Sequence, residues 1–170
     1  MFKFYLPAVG SEKDVGEGKL FESQLSPYTK VIIWLESQEP AFILRGPAGT
    51  GKTHLVKYLL ANHLSKYRYD VVLCAPTNQA VKVLKNLGTG CDCMTIYSLL
   101  GLKMEEHEDT LRLEKAERSL DGNYKLVIVD ESSMLSSDLL EFIQESIARG
   151  VRFLFVGDDE LTINPAAVAK

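Results

Sequence analysis

Residues 46–53 read Gly46-Pro47-Ala48-Gly49-Thr50-Gly51-Lys52-Thr53, a match to G-x-x-x-x-G-K-[ST]. No other stretch constrains the fold as tightly, because the pattern functions only where a strand delivers the loop and a helix leaves it. Backbone N–H groups must curl around phosphate oxygens, and side chains in place of the glycines would block that approach. Lys52 is expected to set its ammonium against β- and γ-phosphates, and the Thr53 hydroxyl to bind Mg²⁺. The helix N-terminus adds partial positive charge. Gly46, Pro47, Ala48, Gly49, Thr50, Gly51, Lys52 and Thr53 are therefore candidate nucleotide-binding residues.

The flanks supply that context. Four apolar runs, Ala41–Leu44, Val71–Cys74, Leu126–Val129 and Val151–Val156, lack strict alternation and suit strands buried on both faces of a parallel sheet. Helical spacing lies between them, in Leu55, Val56, Leu59, Leu60 and Leu64, then Ala80, Val81, Leu84 and Leu87, then Leu139, Leu140, Ile143 and Ile147. Ser26-Pro27 is expected to open a helix before the first of these strands, and Ser137 or Asp138 to cap the last helix. The alternation predicts an α/β domain with a mostly parallel sheet and helices on both faces.

At 170 residues the chain is one domain with a short arm. Residues 1–24 form the arm, in which Met1–Val9 can serve as an edge strand, and residues 25–170 form the domain. Lys103–Asn123 carries Glu105, Glu106, Glu108 and Asp109, so residues 103–123 read as a solvated acidic insertion, in the form of a hairpin. Net charge is −4, which by itself points to no nucleic-acid partner. No stretch reaches the roughly 18 apolar residues that span a bilayer. Cys74 lies in a core run, and Cys91-x-Cys93 has no second pair to complete a zinc site. Free thiols without an export signal imply a cytoplasmic setting.

Leu126–Val129 ends in Asp130-Glu131. A carboxylate at a strand tip can hold Mg²⁺, which assigns Asp130 to the metal beside Thr53. Glu131 is placed to orient or deprotonate the water that attacks a γ-phosphate. Together with Lys52, it makes the pair of motifs read as hydrolytic.

Further strings follow in order: Ala75-Pro76-Thr77-Asn78, Thr95-Ile96-Tyr97-Ser98, Asp130-Glu131-Ser132-Ser133-Met134 and Val156-Gly157-Asp158. Taken with the phosphate loop, they resemble the first, RecA-like P-loop NTPase motor domain of superfamily 1 DNA helicases, in the RecD-like and Dda-like branch. The resemblance covers most of Ser26–Asp159. It implies ATP and Mg²⁺ as cofactors and single-stranded DNA as partner, gripped by Pro76, Thr77, Asn78, Thr95 and Ser98. It also implies that Asp158 links hydrolysis to movement. Hydroxyls, an amide and a helix start can bond phosphates without reading bases.

The chain departs from the family at four points. Thr29 stands in the segment Leu25–Lys30 where an adenine-contacting glutamine is usual, Tyr97 replaces a histidine, Asp159-Glu160 follows Gly157-Asp158 where a glutamine is usual, and the sequence ends at Lys170. The resemblance then implies either a truncated gene product or one part of a split motor whose second domain acts in trans, and slow or negligible turnover is expected of the chain alone. Two alternatives are an AAA+-type ATPase, which shares Gly-Pro-x-Gly-Thr-Gly-Lys-Thr, and a non-catalytic nucleotide-binding or interaction module.

Overall fold

The computed structural model describes residues 2–5, 20, 22–47 and 49–158, with the backbone alone for 2–5, 22 and 23. Six strands form one sheet: β1 (Phe2–Tyr5), β2 (Ala41–Arg45), β3 (Val71–Ala75), β4 (Asp92–Thr95), β7 (Leu126–Val129) and β8 (Arg152–Gly157). Their order is β1-β2-β8-β7-β3-β4, and every neighbouring pair is parallel. The four apolar runs are thus the four central strands.

Alternation within those strands shows why their sequences do not alternate in polarity. Phe42, Leu44, Leu73, Ile128, Leu154 and Val156 face one core, and Ala41, Ile43, Val72, Val127, Phe153 and Phe155 face the other. Side chains of a strand point to opposite faces, so a sheet covered on both sides demands apolar residues at every position. The first core is closed by α1 (Glu22–Glu36), α2 (Lys52–Asn62) and α3 (Asn78–Lys85). The second is closed by α4 (Ile96–Leu100) and α5 (Ser137–Ala148).

Three boundaries differ from expectation. Helix α1 starts at Glu22, before Ser26-Pro27, and carries Pro27 inside it. Pro27 lies past the first turn, so it leaves the carbonyl four residues upstream without its helical donor, a cost the turn must recover elsewhere. Buried Gln24 fixes that turn. Helix α5 is capped by Ser136, whose hydroxyl accepts from the Leu139 N–H at 3.2 Å, and neither Ser137 nor Asp138 has that role. Strand β4 is not one of the apolar runs, since its text is Asp-Cys-Met-Thr, with no fully buried residue.

Residues 102–115 form an antiparallel hairpin, β5 (Leu102–His107) and β6 (Thr110–Lys115). Its two-residue turn, Glu108-Asp109, has φ of 44° and 66°, the double positive φ that matches strand twist. The region is not wholly solvated. Asp121 is 2% exposed, accepts from Ser119 Oγ at 2.6 Å and the Gly122 N–H at 2.9 Å, and pairs with Arg149 beyond α5. Burial disfavours its charge, but the Ser119 bond and the Arg149 guanidinium outweigh that and hold its carboxyl below the ordinary range. At the base of the hairpin, Gly101 has φ of 67°, and a Cβ there would overlap the Glu117 carbonyl oxygen. Among the described residues no helix is long and apolar enough to cross a membrane.

Candidate nucleotide site

All six strands being parallel, their carboxyl ends share one edge, and loops leaving that edge are where open α/β sheets bind ligands. The candidate residues fall there in spatial order. Gly46 follows β2, Asp158 follows β8, Asp130 follows β7, Pro76–Asn78 follow β3, and Thr95 ends β4. Distances of over a hundred residues along the chain are closed by sheet registry alone: Arg45 pairs with Gly157, and the Gly46 N–H donates to the Gly157 carbonyl at 3.2 Å.

The phosphate loop is held by its own backbone and by one residue from α1. The Thr50 hydroxyl donates to Pro47 O at 2.9 Å, and the Leu55 N–H to Gly51 O at 2.9 Å as α2 begins. Lys52 Nζ donates to Gly46 O at 2.6 Å and Pro47 O at 2.9 Å, which keeps the ammonium inside the curl of the loop. Ala48 lies outside the described residues. Gly51 has φ of 78° and faces Gln24, and a Cβ at this position would overlap Gln24 Nε2. Gln24 is fully buried and donates from Nε2 to Thr50 O at 3.3 Å and Gly51 O at 3.0 Å.

Gln24 is a loop-supporting residue that lies just upstream of Leu25–Lys30, the segment in which the sequence places Thr29 at the glutamine position. The helix begins one turn before Ser26, which brings Gln24 beside the loop. Thr29 is exposed and spends its hydroxyl on Leu25 O at 2.9 Å. A polar residue ahead of Leu25-Ser26-Pro27 was the available signal.

Thr53 and Asp130 line the same small cleft, about 10 Å³, with Val56, Leu84, Ile128 and Val156 around it. Burial pushes the Asp130 carboxyl above its ordinary value, opposed by the Glu131 N–H at 2.9 Å and by the Lys52 charge. Asp130 and Thr53 bring a desolvated carboxylate and a hydroxyl to this cleft, hard oxygen donors of the class a divalent cation such as Mg²⁺ takes. Among the described residues no group of three or more His, Cys, Asp and Glu is clustered for a metal. Burial also raises the Cys91 and Cys93 thiols.

Glu131 takes a left-handed backbone, φ 52°, a conformation uncommon outside glycine and one that concentrates at functional positions. Its exposed side chain borders a groove of about 230 Å³ with Thr77, Gln79, Ala80 and Val83. Thr77 caps α3, its hydroxyl accepting from the Ala80 N–H at 3.2 Å, and Asn78 is exposed on the first turn. Pro76 is half-buried. Thr95 caps α4, accepting from the Ser98 N–H at 3.1 Å, and the two hydroxyls lie 3.0 Å apart. Tyr97 is half-buried against the core under α4 and α5. Asp158 is exposed at the tip of β8, and residues 159–170 lie outside the described set.

The sequence profile of an AAA domain family matches residues 27–162. The ATP-dependent DNA helicase Dda of Enterobacteria phage T4 is 28% identical over 141 residues, 83% of this chain and 32% of Dda. The ATP-dependent RecD2 DNA helicase of Deinococcus radiodurans is 34% identical over 118 residues, 69% of this chain and 15% of RecD2. The chain thus spans a third or less of these relatives. Among solved structures, Bacteroides sp Pif1 in complex with ADP-AlF4 superposes with a TM-score of 0.59 at 25% identity, covering 84% of this chain and 33% of that one. Both of these relatives are DNA helicases. By profile, relatives and the motifs along its carboxyl edge, the chain belongs to the AAA domain family and carries the first motor domain of superfamily 1 DNA helicases, an ATPase type akin to those of Dda and RecD2.

Proposed function

We propose that this chain binds Mg-ATP on the loop Gly46–Thr53 and hydrolyses it, driving movement along single-stranded DNA when a second motor domain completes the site. The observation that supports this best is the joint placement of Thr53 and Asp130 in one cleft at the N-terminus of α2. Loop N–H groups and the helix terminus take the phosphates. Lys52 turns from the Gly46 and Pro47 carbonyls toward the β- and γ-phosphates. Thr53 and Asp130 hold Mg²⁺, which when bound draws off charge from the terminal phosphate oxygens. Glu131 accepts a proton from the attacking water, and Asp158 lies beside it at the next strand tip. Pro76, Thr77, Asn78, Thr95 and Ser98 line the neighbouring rim for the strand's phosphates.

An arginine supplied from a second domain is worth about 10³–10⁵ in rate in related phosphoryl transfer, so turnover by the chain alone is slow. A second reading, nucleotide binding without turnover, is favoured by Asp159-Glu160 after Gly157-Asp158, where the family has a glutamine. The two part in an ATPase assay with and without single-stranded DNA, using Lys52→Ala as control. Turnover that rises with DNA and vanishes in the variant supports the motor reading. Nucleotide binding with no turnover, even with a second motor domain added in trans, would leave the binding module.

A further inference from the structure

The charge of this acidic chain is unevenly distributed. Between Gly46 and Cys91 it carries six cations, Lys52, Lys57, Lys66, Arg68, Lys82 and Lys85, against one acid, Asp70, although the net charge is −4. Four of these lie far from the phosphate loop. Lys66 and Arg68 sit on the turn that leads into the amino end of β3, and Lys82 and Lys85 sit in the last turn of α3, which runs back to the same end of the sheet. Arg68 reaches the loop after α3, where a Cβ at Gly90 would meet its Cδ at 3.5 Å. All four side chains are exposed, and among the described residues none is in an ion pair.

Aromatic rings are interleaved with these cations in the run Lys66-Tyr67-Arg68-Tyr69. Tyr67 is 53% exposed and Tyr69 74%. The Arg68 guanidinium lies 4.9 Å over the Tyr69 ring and donates to its hydroxyl at 3.0 Å, which presents a preformed planar cation. Tyr67 walls a cleft of about 370 Å³ lined by Leu35, Leu64 and Leu126, with carboxylates (Glu36, Asp70) and cations (Lys125, Arg152) both at its border. Both rings are displayed to solvent beside the cations.

We infer that this amino-edge surface is a second contact for single-stranded DNA, with phosphates on Lys66, Arg68 and Lys85 and one unstacked base in the cleft against Tyr67. The inference rests on the reading that single-stranded DNA is the partner. Cations tracking a backbone beside rings that stack bases are the combination that single-strand surfaces use. Because the surface lies on the opposite edge from Thr77 and Thr95, a strand using both must pass around the β4 side of the domain.

The test is anisotropy of a short fluorescein-labelled single strand of mixed sequence, titrated with the purified chain over a range of salt. Variants are Lys66→Gln with Arg68→Gln, Tyr67→Ala, Tyr67→Phe, and Thr77→Ala with Asn78→Ala at the carboxyl edge. Neutralising two phosphate contacts lowers the slope of log K against log salt by about 1.4. Loss of one stacked base in Tyr67→Ala weakens binding about tenfold, and Tyr67→Phe retains it. Unchanged slope and affinity in the amino-edge variants, with binding abolished by the carboxyl-edge pair, would overturn this surface and leave the partner assignment standing. Absence of strand binding by the unaltered chain at low salt would overturn both.

Discussion

Replacing Gly51 by alanine tests how Gln24 and the phosphate loop depend on each other. Two costs are expected in Gly51→Ala. The backbone at φ 78° is left-handed, which costs a non-glycine residue about 1–2 kcal/mol. The new Cβ also displaces Gln24 Nε2, which loses its bonds to Thr50 O and Gly51 O. At about 0.5–1.5 kcal/mol each, these add about 1–3 kcal/mol. The single variant is therefore destabilised by about 2–5 kcal/mol. Gln24→Ala alone loses the same two bonds and costs about 1–3 kcal/mol. In the double variant the overlap is gone and the bonds are lost only once, so its cost falls about 1–3 kcal/mol short of the sum of the singles. Urea unfolding of all four proteins, with the slope checked for constancy, measures this directly. Costs that add to within about 0.5 kcal/mol would show that Gln24 does not sit against Gly51, and the account of the loop's support would fail.

Other outcomes follow from single contacts. Gly101→Ala meets the Glu117 backbone, which cannot swing aside as a side chain can, so a marked fall in thermal midpoint is expected, with nucleotide binding retained in the folded fraction. Asp121 has its folded pKa held below the unfolded value, so its stabilisation is full above the unfolded pKa and is lost as pH falls through the folded one. Asp121→Asn should therefore flatten the acid limb of a stability–pH curve, and an unaltered limb would discount the Ser119–Asp121–Arg149 network. Glu131→Gln is expected to bind nucleotide normally and to lower turnover at least a hundredfold, in the range of about 10²–10⁴ for a lost general base. Equal turnover in single-cycle measurements would remove Glu131 from the chemistry.

Much of this site was legible because its chemistry needs fixed residue types at fixed spacing. The loop Gly46–Thr53 and the pair Asp130-Glu131 are readable since phosphate cradles and strand-tip carboxylates tolerate few substitutes. The central strands were readable because burial on both faces forces unbroken apolar text, as in Phe153–Val156. Strand β4 was not, because an edge strand is covered on fewer sides and accepts Asp92 and Thr95. The start of α1 was hidden because Pro27 usually marks a helix start, and only the tertiary contact of Gln24 with Thr50 and Gly51 stabilises the extra turn. Asp121 read as one more solvated acid because its partner Arg149 is 28 residues away in sequence. Local pattern carries no trace of such a pairing.

The central claim is that Thr53, Asp130 and the loop around Lys52 form one Mg-nucleotide site. Binding of a fluorescent ATP analogue, titrated with and without Mg²⁺, tests it most directly in the unaltered chain, Lys52→Ala and Asp130→Asn. The account expects Mg²⁺ to tighten binding in the unaltered chain, Lys52→Ala to abolish most of it, and Asp130→Asn to keep Mg²⁺-free binding while losing the Mg²⁺ enhancement. Equal Mg²⁺ enhancement in Asp130→Asn, or undiminished binding in Lys52→Ala, would contradict it.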